Sequence, residues 1–373
     1  MRPQARRKAS RRKLLFWLAS SALVPLSLFF LELAFRYPEL TERLYGGWLY
    51  PQVAAALGKL NGFFPFSLAQ GLGSAVLIGG LGYLVLGRTK SPSGSRLAVA
   101  FKAGAILWLL MGVTGLWFVL SWGLNYARPN LETRLDLSTR DIDLGEVLDA
   151  GKRCAQRATE LHRSLAQPAD QPTRLTLAFS DLNEILDRRL KELELPGDRL
   201  EPPTSPAKKL WGSTLLSYLG LSGIFIPFTG EPSVNAMVPD ASLPMVVAHE
   251  RAHQRGVTNE GESNLVAFMA CAGSSQHPYL PYTAYLYAAA RLLQAGSRQS
   301  PEEARAAWAE LGPGPRRDLE AIREFWSRYR GPAAAAADRV NDFYLRSVRV
   351  PEGVGSYQTI VRLLIGLDRR GQL

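Results

Sequence analysis

Three long apolar runs occupy the first third of the sequence, over residues 14–35, 67–87 and 97–124. Glu32 is the only charged residue in the first run, Lys102 is the only one in the third, and the second has none. Each run has at least the roughly 20 residues that a helix needs to cross the hydrocarbon core of a bilayer. A cleaved signal peptide would have a shorter apolar core and a small-residue cleavage site. The pattern therefore predicts a three-helix membrane region over residues 14–128.

Beyond residue 128 the long apolar runs give way to amphipathic periodicity, which is typical of a folded helical domain. Short β-prone pieces, broken by Gly and Pro, fill residues 206–244 and predict a small sheet or hairpin. The predicted fold class is mainly α: an N-terminal three-helix transmembrane region, then an extracytoplasmic α+β domain over residues 129–373. Helices are expected over residues 141–165, 179–193, 284–295, 301–330, 338–347 and 356–368.

The net charge of +11 changes this picture once it is located along the chain. Seven basic residues lie in the tail over residues 1–13, and more lie in the loop over residues 88–96. No basic stripe interleaved with aromatic residues follows, so nucleic acid is not an expected partner. Basic segments beside spans stay in the cytoplasm. The bilayer is therefore the expected partner, with residues 36–66 as an aromatic-rich interfacial loop on the outer side.

The strongest chemical signal is an HExxH pattern, His249-Glu250-Arg-Ala-His253. Residues four apart share a helical face, so both histidines can direct a ring nitrogen at one Zn²⁺ ion. Glu250 is then the expected general base toward a metal-bound water. Gly256 stands where such a helix should end. The alternative is an ordinary charged helix that carries two of the chain's four histidines by chance.

A catalytic zinc site needs a third protein ligand. The candidates are Asn259, Glu260 and Glu262. The metzincin pattern would have a histidine where this chain has Asn259, a poor zinc ligand. We expect Glu260 to be the ligand, with Glu262 as the alternative. Glu262 also completes a capping box with Asn259, which would make it a structural residue.

The segment Asn259-Glu260-Gly-Glu262-Ser263-Asn264 resembles the second motif of thermolysin-like zinc peptidases (gluzincins). The resemblance implies that Glu260 binds zinc and that Asn264, four residues later, orients a ligand histidine. Two departures stand out: Asn264 replaces an aspartate, and the interval after HExxH is far shorter than in thermolysin.

Ahead of the HExxH pattern, Asn235-Ala236-Met237 resembles the Asn-Ala segment of membrane metallopeptidases of the prenyl-protease type. It implies that Asn235 and Ala236 contact substrate, beside an edge strand that binds an extended peptide. The alternative is a plain hairpin packed under the metal helix. Glu231 is expected to be a substrate contact or a turn residue.

Other residues with possible chemistry are less determined. His162 is expected to be a solvated helix residue. Cys154 and Cys271 could form a disulfide or remain two buried thiols. A donor to the oxyanion of the reaction is expected among the residues His277, Tyr279, Tyr282, Tyr285, Tyr287 and, less strongly, Tyr357.

Several motifs together resemble an uncharacterised bacterial family of multi-pass membrane proteins that carries an HExAHQRG motif. They are Trp122-Gly-Leu-Asn-Tyr-Ala-Arg128-Pro, Pro227-Phe-Thr-Gly-Glu231, His249-Glu-Arg-Ala-His-Gln-Arg-Gly256, Tyr344-Leu and Gly353-Val-Gly-Ser-Tyr357. The resemblance implies a zincin-like metallopeptidase in the bacterial cell membrane, and it supplies no substrate.

The sequence therefore predicts a membrane-anchored zinc metallopeptidase, with its N-terminus in the cytoplasm and its active site outside. The expected substrate is a peptide or protein at the membrane surface. The alternative from another class is a catalytically inactive zincin-like scaffold or binding protein, against which the intact Glu250 argues. A transporter is disfavoured, because the three spans lack strong internal polar residues.

Overall fold

The structure is a computed structural model that describes residues 21–86, 96–193, 195, 205–347 and 359–373. The basic tail, the first seven residues of the first predicted span and nearly all of the basic loop lie outside the described residues. So do Tyr357 and the rest of the Gly353–Tyr357 motif.

The chain is mainly helical with one small sheet, as predicted. The helices are α1 (21–36), α2 (Pro38–Thr41), α3 (Tyr50–Gly62), α4 (Leu68–Leu86), α5 (Arg96–Ser121), α6 (Leu131–Arg134), α7 (Leu144–Ser164), α8 (Phe179–Glu192), α9 (Ser213–Tyr218), α10 (Leu243–Gln254), α11 (Glu260–Ala272), α12 (Tyr279–Gln299), α13 (Pro301–Ala309), α14 (Pro313–Arg328), α15 (Pro332–Ser347) and α16 (Thr359–Asp368). The described residues also form a π-helical turn (Glu42–Leu49) and two 3₁₀ turns (Gly123–Ala127 and Asp240–Ser242). Their strands are β1 (Lys208–Leu210), β2 (Gly223–Ile226) and β3 (Glu231–Asn235).

The N-terminal helices support the membrane prediction only in part. Over the described residues, one helical segment, Gly104–Ser121 in α5, is long and apolar enough to cross a membrane. A shorter apolar stretch, Leu68–Gly82, lies in α4. Where the structure describes them, over residues 68–82 and 104–121, the side chains of these two helices are largely exposed or half-buried, as an apolar surrounding would permit. The arrangement of three spans stays a prediction.

Most of the segment over residues 36–66 is helical, so the expectation of a loop there is wrong, while its position at the membrane interface stays a prediction. It forms α2, the π-helical turn and α3 in succession. Pro38 stands in the first turn of α2, where a missing N–H costs nothing, and Pro51 stands in α3 directly after the π-helical turn. Some of its aromatic residues are exposed, including Trp48 and Phe63, but Tyr50 is buried against the rest of the protein. This segment is therefore part of the packed structure.

The core of the C-terminal part is built around α7 and α12, which pack along each other. α7 begins at a capping box between Asp143 and Glu146, and it buries a stripe of small residues that lets α12 approach closely. His162 lies on this buried face and is 5 % exposed, so the expectation of a solvated histidine is wrong. Burial lowers the pKa of His162, and its ring meets Tyr282 edge-on.

Both cysteines are free thiols in this core, and no disulfide joins them. Cys154 lies on α7 and Cys271 on α11, and each is almost fully buried. Burial raises the pKa of Cys154 to about 12, so its thiol is unreactive near neutral pH.

The three strands form one sheet in the order β1-β3-β2, directly ahead of the HExxH helix. β1 runs parallel to β3, whereas β2 and β3 form an antiparallel hairpin, with Gly223 opposite Val234 and Ile226 opposite Glu231. β3 is buried along its whole length, and β2 lies at the edge of the sheet. The predicted small sheet or hairpin is confirmed.

Candidate metal site

α10 carries the HExxH pattern in the interior of the protein. The helix runs from Leu243 to Gln254, begins with a proline in its first turn and is buried along most of its length. His249 and His253 are one turn apart on the face that meets α11, and their ring centroids lie 4.7 Å from each other. The helical spacing thus brings the two imidazole rings next to each other.

Gly256 and Asn259 bring the third candidate ligand to the same point. Gly256 has φ +82°, a left-handed conformation that ends α10 and reverses the chain. Asn259 then caps α11, because its side chain accepts the backbone N–H groups of Gly261 and Glu262. Glu260 is the first residue of α11 and lies opposite the two histidines. A five-residue connection, residues 255–259, therefore suffices to assemble the cluster.

The distances within this cluster fit a single metal ion. His249 Nε2 lies 3.1 Å from His253 Nε2 and 3.1 Å from Glu260 Oε2, and His253 Nε2 lies 3.6 Å from Glu260 Oε2. Ligands about 2.0–2.1 Å from a tetrahedral zinc ion are about 3.3 Å apart, which is close to all three distances. In the part of the chain that the structure describes, these three residues form the one group of His, Cys, Asp and Glu side chains suited to a metal.

Hydrogen bonds at the far side of each ring direct Nε2 toward the cluster. His253 Nδ1 donates to the carbonyl of Val257 at 2.7 Å and also lies 3.2 Å from Ser263 Oγ. His249 Nδ1 lies 3.0 Å from Asn264 Oδ1. With the proton on Nδ1, Nε2 presents a lone pair. Two such nitrogens facing each other beside a carboxylate repel unless a cation or a proton lies between them.

The electrostatics of the cluster favour a positive charge at its centre. Burial lowers the pKa of His253, but the Glu260 carboxylate outweighs it and raises that pKa to about 9. Burial likewise raises the pKa of Glu260, and the two histidines outweigh it, so that this pKa falls well below its usual range. Glu260 is therefore a carboxylate at every physiological pH.

Glu250 lies beside the cluster on α10 and is 4 % exposed. Burial is the main reason that its pKa rises to about 7, with the charge of Glu260 adding to the effect and the histidines opposing it. Its Oε2 atom has no hydrogen-bond partner among the described residues. Gly223 of β2 packs directly on this carboxylate, and a Cβ atom there would overlap it. The absence of a side chain at Gly223 thus allows the close approach of β2, which helps to bury Glu250.

The structure separates Glu262 from the cluster. Its carboxylate is buried and accepts the backbone N–H of Glu132 in the first turn of α6 at 3.1 Å. Burial raises its pKa to about 6. Asn259 caps α11 as the capping box predicts, but Glu262 satisfies a neighbouring helix instead of its own.

Asn235 and Ala236 are held by hydrogen bonds within the fold. Asn235 is fully buried, and its side chain donates to Ser217 Oγ at 2.8 Å and to the carbonyl of Leu221. The backbone N–H of Ala236 donates to Ser213 Oγ. Through these bonds the two residues fasten the end of β3 to α9.

The tyrosines that could donate to the oxyanion divide into two groups, and one of them, Tyr344, is not among the predicted donors. Tyr279 and Tyr282 bond to the buried pair Thr173 and Asp318, within the core. Burial raises the pKa of both Tyr287 and Tyr344, and the charge of Glu260 adds a smaller effect in the same direction, so both side chains lie within its electrostatic range. Burial is the main reason that the pKa of Tyr344 reaches about 12. Tyr344 lies on α15, which the sequence interpretation did not connect with catalysis.

A buried ion pair holds α10 from its opposite side. Arg251, the variable third position of the HExxH pattern, is 2 % exposed and pairs with Asp187 of α8. Its guanidinium also lies 3.3 Å from Asn183 Oδ1. The sequence interpretation missed this contact, although a charged residue on the buried side of an apolar helix is a signal that a partner exists.

The N-terminal helices support the end of α10. Trp122 Nε1 donates to the carbonyl of His253 at 3.2 Å, and Tyr50 Oη donates to the carbonyl of Gln254 at 2.7 Å. Arg128 pairs with Glu42 and packs with Asn125 against Gly256, where a Cβ atom would lie 2.7 Å from the guanidinium. These contacts satisfy carbonyls that the end of a helix leaves open. No local sequence pattern predicted these contacts.

The chain is mainly helical, and two histidines and a glutamate from consecutive helices converge in it. These features define a candidate metalloprotein. The chain belongs to the family described as "Protein of unknown function (DUF3810)", whose model matches residues 45–365, from the π-helical turn to α16. The predicted membership of an uncharacterised family is thereby confirmed. No curated protein and no solved structure matches the chain.

Proposed function

We propose that this protein is a membrane-anchored, zinc-dependent peptidase whose site faces the extracytoplasmic side. The observation that carries the proposal is the convergence of His249, His253 and Glu260 at distances that suit one tetrahedral ion, beside Glu250. Two nitrogens and one carboxylate oxygen are a typical ligand set of catalytic zinc, and they leave a fourth position for water or substrate. These residues are the ones that would hold the ion.

Bound zinc would supply Lewis acidity, which lowers the pKa of water in the fourth position and polarises a substrate carbonyl. Glu250 is suited to take the proton of that water and to pass it to the leaving amine. Its carboxyl has a pKa of about 7 and one oxygen without a partner in the described structure. A group with such a pKa exchanges a proton readily at neutral pH.

The neighbouring strand supports a peptide as substrate. β2 lies at the edge of the sheet, and Gly223 on β2 contacts Glu250. An extended peptide added to this edge would pass beside the carboxylate and the metal ligands. Membrane anchorage is supported by the apolar segment Gly104–Ser121 and by the positively charged N-terminal tail.

The test is metal content by elemental analysis, together with hydrolysis of a fluorescence-quenched peptide library. We expect about one zinc ion per chain in the wild type. It should be lost in His249→Ala and Glu260→Gln and kept in Glu250→Gln. His277→Ala is the matched control for zinc content alone, because this histidine lies outside the cluster. Glu250→Gln should also lower hydrolysis by at least about 100-fold.

The possible outcomes separate the proposal from its alternative. A wild-type protein without zinc, purified without chelators, would overturn the peptidase proposal. Zinc bound as expected, with no peptide hydrolysed, would instead favour an inactive zincin-like scaffold. Zinc retained in Glu260→Gln would move the third ligand to another residue.

A further inference from the structure

Exposed large hydrophobic side chains in the C-terminal part are confined to two stretches. Among the described residues beyond 122, eight such side chains occur, and all lie within residues 211–237 or 340–343. They are Trp211, Leu215, Tyr218, Ile224, Phe228, Met237, Val340 and Phe343, which we call the apolar rim. By this measure the remaining helices of the C-terminal part, including α7, α12, α13 and α16, expose no large hydrophobic side chain where the structure describes them.

The short helix α9 within this rim has its polar side chains buried and its apolar side chains exposed, the opposite of a helix that faces water. Its serines point inward: Ser213 is 5 % exposed and Ser217 is fully buried. Its apolar residues point outward: Leu215 is 64 % and Tyr218 is 51 % exposed, and Trp211 just before the helix is 70 % exposed. A helix whose polar face is satisfied inside the protein and whose apolar face is open is suited to an apolar surrounding.

The apolar rim adjoins the ends of the two apolar helices. The backbone N–H of Trp211 donates to the side-chain oxygen of Gln70, in the first turn of α4, at 3.2 Å. Trp117, in the last turns of α5, donates its indole N–H to the carbonyl of Phe228 at 3.0 Å. The ring of Phe118 lies 6.2 Å from that of Phe228 and 6.4 Å from that of Tyr344, the neighbour of Phe343.

These contacts make the rim continuous with the exposed surface of α4 and α5. Val76 and Ile78 on α4 are 75 % and 69 % exposed, and Leu107 on α5 is 66 % exposed. The start of α4 and the end of α5 both adjoin the rim, at the side that the predicted topology assigns to the extracytoplasmic face. A bilayer surrounding these helices would meet the rim at its outer boundary, where Trp and Tyr are enriched.

We propose that the apolar rim inserts into the outer boundary of the bilayer and holds the metal site against the membrane surface. β2 connects the two features: Gly223 contacts Glu250, the adjacent Ile224 belongs to the rim, and Phe228 follows shortly after. The substrate class, which rests on the proposed function, is therefore a polypeptide whose cleaved bond lies within a few residues of the point where it leaves the bilayer.

Single fluorescent labels in the full-length protein test the position of the rim. Both native cysteines are at most 1 % exposed, so a maleimide label should react selectively with an introduced surface cysteine. Leu215→Cys and Phe343→Cys place the label on the rim. Glu160→Cys on α7 is the control, since its side chain is 60 % exposed on a helix without exposed large hydrophobic residues. Each labelled protein is reconstituted into phosphatidylcholine–phosphatidylglycerol vesicles, with or without lipids that carry a nitroxide at the headgroup.

We expect nitroxide lipids to quench both rim labels several-fold more than the control label, and iodide in the water to show the opposite order. Equal quenching of rim and control labels by the nitroxide lipids would overturn the proposal. Rim labels protected from both quenchers would overturn it as well and would assign the surface to a second copy or another protein.

Zinc content and peptide hydrolysis, measured on the same vesicles, keep the two proposals apart. Membrane quenching without zinc or hydrolysis would leave the docking intact and remove the peptidase. Zinc-dependent hydrolysis without quenching of the rim labels would support the peptidase and overturn the insertion of the rim into the bilayer.

Discussion

The indole N–H of Trp122 donates a hydrogen bond to the backbone carbonyl of His253, across 131 positions of sequence. The two rings also meet edge-on, with centroids 6.2 Å apart. One side of the candidate metal site is thus held by the residue that directly follows α5, the helix that carries the apolar segment Gly104–Ser121. This relationship suggests that the ligand geometry depends on the N-terminal helices.

Trp122→Phe should weaken metal binding while preserving the aromatic packing. It removes one of two donors to the carbonyl of His253, which also accepts the backbone N–H of Gly256 at 2.8 Å, at a cost of about 1 kcal/mol. We expect a zinc affinity lower by about fivefold or more, measured by chelator competition, and a lower Tm. Trp48→Phe is the matched control, because Trp48 is 66 % exposed. Equal affinity and Tm in both variants would show that the hydrogen bond does not support the site.

Asn264→Ala should lower zinc affinity more strongly. The Asn264 amide oxygen lies 3.0 Å from His249 Nδ1, and loss of such an orienting partner costs about 10–100-fold in metal affinity. Asn264→Asp should keep or increase affinity, since a carboxylate accepts the same N–H. If the alanine and aspartate variants bind zinc equally well, then Asn264 does not orient the ring.

Glu231→Gln should destabilise the junction between the two parts of the chain. Glu231 is fully buried; it accepts the N–H groups of Leu68 and Ala69 at the start of α4 and pairs with Lys208 at 2.9 Å. Removing the charge leaves a buried ammonium without its counterion, a loss on the order of 3 kcal/mol. Thermal unfolding in detergent measures the effect. Glu192→Gln, which breaks an exposed ion pair, is the control with little expected change.

The same carboxylate predicts an acid-sensitive stability. Burial raises the pKa of Glu231, but the donors of Ala69, Lys208 and Leu68 outweigh it and hold the pKa below the usual 4.5. The stabilisation is therefore complete above about pH 4.5 and is lost as the pH falls through the lower folded pKa. The Tm of the wild type should drop in this acidic window more than the Tm of Glu231→Gln. Parallel pH profiles would contradict the assignment.

Tyr344→Phe tests the candidate oxyanion donor. The Tyr344 hydroxyl lies 3.1 Å from that of Tyr126. Burial raises the pKa of Tyr344, and the charge of Glu260 raises it further. Loss of one donor to an oxyanion typically costs about 100-fold in kcat, and zinc content and KM should change little. Tyr287→Phe is the comparison, because Glu260 also acts on Tyr287. The variant with the larger loss in kcat identifies the donor, and unchanged kcat in both excludes these two residues.

The fold was predictable where patterns are local. Helical periodicity indicated α7, α8 and α12, and Gly and Pro spacing indicated the hairpin of β2 and β3. The segment 36–66 was misjudged as a loop because its helices are short and aromatic-rich. His162 was misjudged because its helix buries a wide face, which a single histidine in a charged neighbourhood does not reveal.

The candidate site was also predictable only where its residues are close together in the sequence. The spacing of His249, His253, Glu260 and Asn264 is local, and the structure brings these four side chains together. The contacts of Trp122, Tyr50, Arg251 and Tyr344 depend on how distant helices pack, and no spacing in a single sequence encodes them. Glu231 seemed to be a turn or substrate residue, because the backbone N–H groups that it accepts, those of Leu68 and Ala69, lie more than 160 positions earlier.

The capping of α10 by Trp122 and Tyr50 has a practical consequence for expression of the C-terminal part alone. A chain shortened to begin at residue 129 would keep every proposed zinc ligand and Glu250. It would also expose the carbonyls of His253 and Gln254 to water and free Gly256 from the packing of Asn125 and Arg128. In a soluble fragment chosen to avoid detergent, the metal ligands would thus be held less rigidly than in the whole protein. Inactivity of such a fragment would therefore not show that the whole protein is inactive.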